Sequence, residues 1–304
     1  MLKFKNKAQK LTSHDFLMDD TKFFIKDFIP SEAITIIYGP SNHGKTYLNL
    51  AIAKHILENF DDSVDELIYF DMDNGRRQLK RRNLESLLQG YSKWEYYIRS
   101  SMRISLDELL ESLNSDCFNM NYQRKVFIFD STKNFVETSN DKKVKDFMTI
   151  MQNIRDNGGT VILIHHTSKN GKVIDGSAEF ERSADNMFSL EKKHETDDTI
   201  QVALTFRKDR DGVDHCGFKI DKINLTFGEM DKDIALISEY ESDFIAKAID
   251  ALKKNPQGLN LTEFLAALGY DKTDKTARDT VDKFVDKFWK KEKKNERLFK
   301  FFII

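Results

Sequence analysis

The sequence predicts an α/β fold, with a mostly parallel, twisted sheet followed by a small, largely helical C-terminal domain. Three observations carry that reading. Short apolar runs recur at 33–38 (AITIIY), 67–70 (LIYF), 126–129 (VFIF) and 160–164 (TVILI), and continuous apolar strands of this kind suit a parallel sheet covered on both faces. Longer polar or amphipathic stretches separate these runs. Near residue 240 the pattern turns from strands to amphipathic helices.

The elements follow in order. AITIIY is the first strand, and in the YLNLAIAKHILENF stretch beyond it Leu48, Ile52 and Ile56 repeat every four residues and mark one helix face. LIYF, VFIF and TVILI supply further strands. After them MFSL, IQVALTF, GFKI, INLTF and IALI follow with short connectors, which predicts hairpin-connected strands extending the same sheet. SDFIAKAIDALKKNPQGLN reads as an amphipathic helix ending before Pro256 and Gly258. Thr262, Phe264 and Leu265 open a second helix, Thr276 to Trp289 reads as a third, and a strand pair closes the chain. That order resembles a winged helix-turn-helix, so the expected domains are 1–240 and 241–304. There is no internal repeat.

Composition bounds the function. At 304 residues the chain is long enough for a large core and a second small domain. Charged residues make up 32%, yet the formal net charge is −2, so contact with nucleic acid has to come from local basic patches. Cys117 and Cys216 are the only cysteines, which argues against a zinc site and suggests a reducing compartment. No apolar run approaches the roughly 20 residues that span a bilayer, and the start MLKFKNKAQKLTSHD lacks a signal-peptide core. The expectation is a cytoplasmic protein without a membrane partner.

The stretch IIYGPSNHGKT carries the chemistry. Gly39, Gly44, Lys45 and Thr46 satisfy the phosphate-loop pattern GxxxxGK(S/T), between a strand and a helix as that pattern requires. Glycines let backbone N–H groups turn inward on phosphates, and the following helix adds its positive N-terminal end. The whole run Gly39, Pro40, Ser41, Asn42, His43, Gly44, Lys45, Thr46 and Tyr47 is the expected ATP-binding stretch. Lys45 would reach the β and γ phosphates, and the Thr46 hydroxyl would take a position on Mg2+. Asp130, ending VFIFD, is the candidate acid that holds Mg2+ together with Thr46; a strand-end capping aspartate is the bland alternative. IYFDMDNG offers Asp71 and Asp73 as candidates for the water-activating carboxylate.

The order of these motifs, continued by ILIHHTSKNG and FRKDRDG, resembles the RecA-like P-loop ATPases, and among them the hexameric replicative DNA helicases of the RepA and DnaB type. The resemblance spans about residues 22–230. It implies that Asp73 stands where the family has a water-polarising glutamate, with a side chain one methylene shorter. It also implies that His166 takes the position of the residue that senses the γ phosphate. Adjacent histidines point to opposite sides of a strand, so only one of His165 and His166 can face the nucleotide. Lys208 and Arg210, before Gly212, match the pair that reaches into the neighbouring subunit, where a trans arginine stabilises charge on the transferred phosphoryl group. A solvated charged hairpin is the alternative.

In ring-shaped members, loops after the Asp130 and sensor strands line a channel for single-stranded DNA. Here those loops carry Lys142, Lys143 and Lys145, and Lys169 and Lys172. The segment Lys283–Lys300 holds eight basic and three acidic residues, a basic edge for duplex DNA or a replication partner. The resemblance thus implies a hexameric DNA helicase of a plasmid or phage replicon. A recombination mediator and a nucleotide-gated DNA-binding regulator are the two alternatives.

Overall fold

The computed structural model describes residues 21–117, 122–168, 173–294 and 298–304. It divides into two compact units, Met1–Glu229 and Met230–Ile304, a division that falls N-terminal of residue 240.

The first unit is the expected α/β fold, with a large, mostly parallel sheet. A short hairpin of β1 (Phe23–Ile25) and β2 (Ile29–Pro30) precedes β3 (Ile34–Gly39), in which all six residues are buried. Helix α1 (Lys45–Asn59), strand β4 (Glu66–Asp71), helices α2 (Arg76–Arg81) and α3 (Leu84–Gly90) and strand β5 (Trp94–Ile98) follow. Then come α4 (Leu106–Asp116), β6 (Lys125–Asp130), α5 (Asp141–Asp156), β7 (Thr160–His166) and α6 (Glu179–Ser183). Strands β8 (Asn186–Glu195), β9 (Thr199–Lys208), β10 (Cys216–Asp221) and β11 (Thr226–Glu229) complete the unit.

Nine strands form one sheet in the order β11-β10-β9-β8-β3-β7-β6-β4-β5. Pairing is parallel from β8 through β5 and antiparallel from β8 outward to β11. The two halves of the pattern follow from the connections: helices return the chain for parallel pairing, whereas the short turns after β8, β9 and β10 permit only antiparallel hairpins. Two apolar clusters pack the sheet. One joins α1 (Leu48, Ile52, Ile56) to Ile37, Tyr69 and Ile128; the other joins α5 (Phe147, Met148, Met151) to Ile36, Phe129 and Leu163. The amphipathic face read at Leu48, Ile52 and Ile56 is thus buried against the sheet.

Four local readings are corrected. Strand β5 was not anticipated, because only Trp94 and Ile98 of WEYYI are buried in this edge strand. IALI is not a strand: Asp231 caps α7 (Lys232–Ala235), its side chain accepting from Asp233 N and Ile234 N. Lys142, Lys143 and Lys145 lie at the start of α5 and not on a loop, since Asn140 caps the helix there by accepting from Lys143 N. The third C-terminal helix stops before Trp289, which opens a strand.

In the second unit α7 is followed by α8 (Glu239–Lys254), α9 (Leu261–Ala267) and α10 (Lys275–Lys283), and then by the antiparallel pair β12 (Trp289–Lys293) and β13 (Phe299–Ile303). Capping boxes set two starts, Ser238 with Glu241 for α8 and Asn260 with Glu263 for α9. Phe244, Phe264, Phe284, Trp289 and Phe301 are all buried in one cluster, where each contributes about 1.5–3 kcal/mol. Trp289 also satisfies its indole N–H on the Val281 carbonyl at 3.0 Å. The aromatics at Phe284 and Trp289 therefore build this core.

Candidate active site

The parallel strands end together. Gly39 of β3 pairs with His166 of β7, and Asp71 of β4 pairs with Asp130 of β6, which places four candidate segments on the carboxyl edge where open α/β sheets bind ligands. A cavity of about 570 Å³ opens there, and Ser41, Lys45, Thr46, Asp73, Asp130 and His166 line it. Asn42, Gly44 and Tyr47 line it too.

The loop after β3 depends on its glycines. Gly44 has φ +88°, and a Cβ there would sit 2.5 Å from Ile200 Cδ1; a Cβ on Gly39 would sit 2.6 Å from the Leu190 carbonyl oxygen. Lys45 folds back over the loop, its Nζ donating to the carbonyls of Gly39 at 2.7 Å and Pro40 at 2.8 Å. Burial lowers its pKa to about 8, against the pull of Asp130 and with help from the Lys133 charge. A cation held half-desolvated in this way gains most from an incoming anion. His43 Nδ1 accepts from Lys192 N at 3.4 Å, which ties the loop to β8.

Asp130 lines the cavity yet is largely buried, 2% exposed. Burial first, then the Asp71 and Asp73 charges, push its carboxyl up to about 7, while hydrogen bonds from Tyr69 and Thr46 oppose the rise. A divalent cation would relieve that cluster of like charges. Thr46 and Asp130 are the residues that would hold Mg2+, and their contact fits a metal held through hydroxyl and carboxylate oxygens. Among the described residues there is no group of three or more His, Cys, Asp or Glu able to hold a metal without such help.

Asp73 and Asp71 separate clearly. Asp73 reaches the cavity, where Ser131 Oγ donates to it at 2.8 Å and Asn134 Nδ2 at 2.7 Å. Burial acts to raise its pKa, but its neighbours His166, Asn134, Ser131 and Lys133 outweigh burial and hold the carboxyl below the ordinary range. Asp71 is fully buried under the turn and does not line the cavity.

The two histidines also separate. His166 Nε2 lies 3.7 Å from Asp73 Oδ2, and its Nδ1 is 3.5 Å from Ser41 Oγ. His165 points the other way and is fully buried. Its Nε2 is 2.7 Å from the Asp175 carbonyl, which only accepts; the neutral ring therefore accepts at Nδ1 from the Thr132 hydroxyl, 2.5 Å away. Burial lowers its pKa to about 4.

Lys208 and Arg210 lie outside the cavity. Lys208 Nζ donates to the Glu181 carbonyl at 2.6 Å and the Arg182 carbonyl at 2.9 Å on α6. Arg210 stands 3.3 Å from Asp185, a carboxylate already held by Arg155 at 2.8 Å, and its side chain stays 52% exposed. Lys169 and Lys172 lie outside the described residues.

The cavity wall extends beyond the motif residues. Arg82 places its guanidinium 5.2 Å from the Tyr47 ring centroid, with Nη1 buried and unpartnered. A permanent cation with an unmet buried donor favours an anionic ligand. In the sequence Arg82 belongs to the basic cluster NGRRQLKRR, which reads either as a solvated helix face or as a group coupled to the nucleotide or a neighbouring subunit. Lys133, Lys192, Glu195 and Ile200 join the wall from turns and strands far apart in sequence.

The family model of the AAA domain matches residues 16–172, just over half of the chain. No curated protein matches it. Among solved structures, a KaiC-like protein from the hyperthermophilic archaeon Pyrococcus horikoshii OT3 is 15% identical with a TM-score of 0.49, over 67% of this chain and 91% of that one.

Proposed function

The chain belongs to the AAA domain family, and from that membership we propose a motor ATPase that forms a hexameric ring and translocates on single-stranded DNA, as the replicative helicase of a plasmid or phage replicon. The observation that carries the reading is a division among the candidate residues. Lys45, Thr46, Asp73, Asp130 and His166 share one cavity, while Arg210 stands apart from it and half exposed. A site whose finger lies elsewhere on the chain fits completion by a neighbouring copy.

In this proposal the loop from Gly39 to Tyr47 holds the phosphates of ATP through backbone N–H groups, and Lys45 leaves the loop carbonyls for the β and γ phosphates. Thr46 and Asp130 hold Mg2+, which when bound neutralises charge on the phosphate oxygens. Asp73 polarises the attacking water, and His166, between Asp73 and Ser41, reports the γ phosphate. Lys208 and Arg210 act across the subunit boundary. The ATPase domain is assigned to 1–240 and a winged-helix module to 241–304, whose three main helices and strand pair support the assignment and whose role is contact with DNA or a replication partner. The reading places the protein in the cytoplasm; among the described residues no helix is long and apolar enough to cross a membrane.

The test is strand displacement on a forked duplex with ATP and Mg2+, run beside Lys45→Ala. Unwinding by the parent alone supports the motor. A folded protein that hydrolyses ATP without unwinding points to a recombination mediator or to a nucleotide-gated DNA-binding regulator. One observation favours the regulator: the short Asp73 side chain is held by Ser131 and Asn134, which suits slow turnover.

A further inference from the structure

We propose that Asp71 is the positioning residue for Asp73, acting with Asn74 and Tyr96; the proposal rests on the reading of Asp73 as the water-polarising carboxylate. Asp71 ends β4 fully buried, and a buried carboxylate is tolerated only when its lone pairs are met. Here they are met by the turn that carries Asp73. Asp71 Oδ1 accepts from the backbone N–H of Asp73 at 3.1 Å and of Asn74 at 2.9 Å. The Asn74 side-chain amide donates to both oxygens, at 3.0 and 2.9 Å. Tyr96 of the edge strand donates its hydroxyl to Oδ2 at 2.7 Å.

A local turn needs only the first two bonds. The Tyr96 bond ties the turn to a neighbouring strand, and from there to the metal side of the site. The Tyr96 ring stacks on Tyr69 with centroids 4.7 Å apart, and Tyr69 donates to Asp130 at 3.0 Å. Backbone adds a second tie, since Met72 N donates to the Asp130 carbonyl at 2.7 Å. Asp71 thus sets the backbone of Asp73 relative to Asp130, while Ser131 and Asn134 set its side chain. The spacing between the water-polarising group and the metal-holding group is governed from beneath by Asp71 and Tyr96, neither of which lines the cavity.

The test measures steady-state ATP hydrolysis by the full chain with Mg2+ and single-stranded DNA, for Asp71→Asn and for Tyr96→Phe, each alone and in an Asp73→Ala background. Tyr96→Phe keeps the ring stack and removes one hydroxyl, so it covers the case in which Asp71→Asn does not fold. Each single variant is expected to lower kcat roughly ten- to a hundredfold, the loss that a misplacement of about 1 Å brings, with KM for ATP within about twofold of the parent. On the residual rate of Asp73→Ala, Tyr96→Phe should add nothing. An equal further loss in that background, a rise in KM in place of the fall in kcat, or an unchanged kcat for Tyr96→Phe overturns the proposal while leaving Asp73 in its role. An unchanged rate for Asp73→Ala itself removes the reading of Asp73, and the proposal with it.

Discussion

The hydroxyl of Tyr69 donates to the carboxylate of Asp130 across 3.0 Å, at the cavity wall, where Asp130 is almost wholly buried. That bond favours the ionised carboxylate and so opposes the burial that raises its pKa to about 7. Tyr69→Phe removes the opposition, and Asp130 then stays protonated to higher pH. Mg2+-dependent hydrolysis by the variant should fall several-fold near pH 7 and recover toward the parent rate above about pH 8. A pH–rate profile checks this; identical profiles for variant and parent would count against the assignment of Asp130 to the metal.

Lys45 both donates to the loop carbonyls and lies beside Asp130. Lys45→Ala is expected to reduce ATP hydrolysis by at least about a hundredfold, the scale set by removal of one transition-state donor. Phosphate release at saturating ATP measures it, and an unchanged rate would remove the central claim.

Arg210 is expected to act on a neighbour's nucleotide, so Arg210→Ala should cut hydrolysis by about a hundredfold or more while nucleotide affinity stays within about twofold. Mixing the variant with an inactive Lys45→Ala protein should restore part of the rate, because each contributes the part the other lacks. Loss of affinity equal to the loss of rate, with no restoration on mixing, argues for a local structural role.

His165 sets a stability dependence on pH. Its folded pKa, lowered to about 4 from 6.5, lies below the unfolded value, so between those limits the unfolded chain binds more protons. The neutral buried ring therefore contributes fully above about pH 6.5, and the contribution is lost as pH falls toward 4. The total is on the order of 3 kcal/mol. Denaturant midpoints of the parent should fall across that window more steeply than those of His165→Gln; parallel slopes would exclude the effect.

Much of the first unit was legible because its signals are local. Four apolar runs, one glycine-framed loop and a four-residue repeat in α1 each lie within a dozen or so positions, and hydrophobic periodicity reads such windows well. The failures were of a different kind. Strand β5 is stabilised by its pairing with β4 and by the α3 helix packed near it, and its own WEYYI pattern buries only two residues. IALI has strand-like composition, yet one capping aspartate before it decides for a helix. The lysines of α5 have a loop-like composition, and a single capping residue, Asn140, decides that the helix begins before them.

By itself the sequence determined that a strand, a phosphate loop and a helix follow one another, and that acidic residues end two other strands, because those properties reside in contiguous residues. Only the tertiary structure decided which of two aspartates and which of two histidines faces the cavity. Asp73 meets Ser131 across 58 positions and Asn134 across 61, while Asp71 meets Tyr96 across 25. His165 and His166 are adjacent on a strand and face opposite ways, whereas Asp73 lies in the turn beyond the strand that Asp71 ends; in both cases the neighbours that sheet order brings alongside choose which residue joins the site.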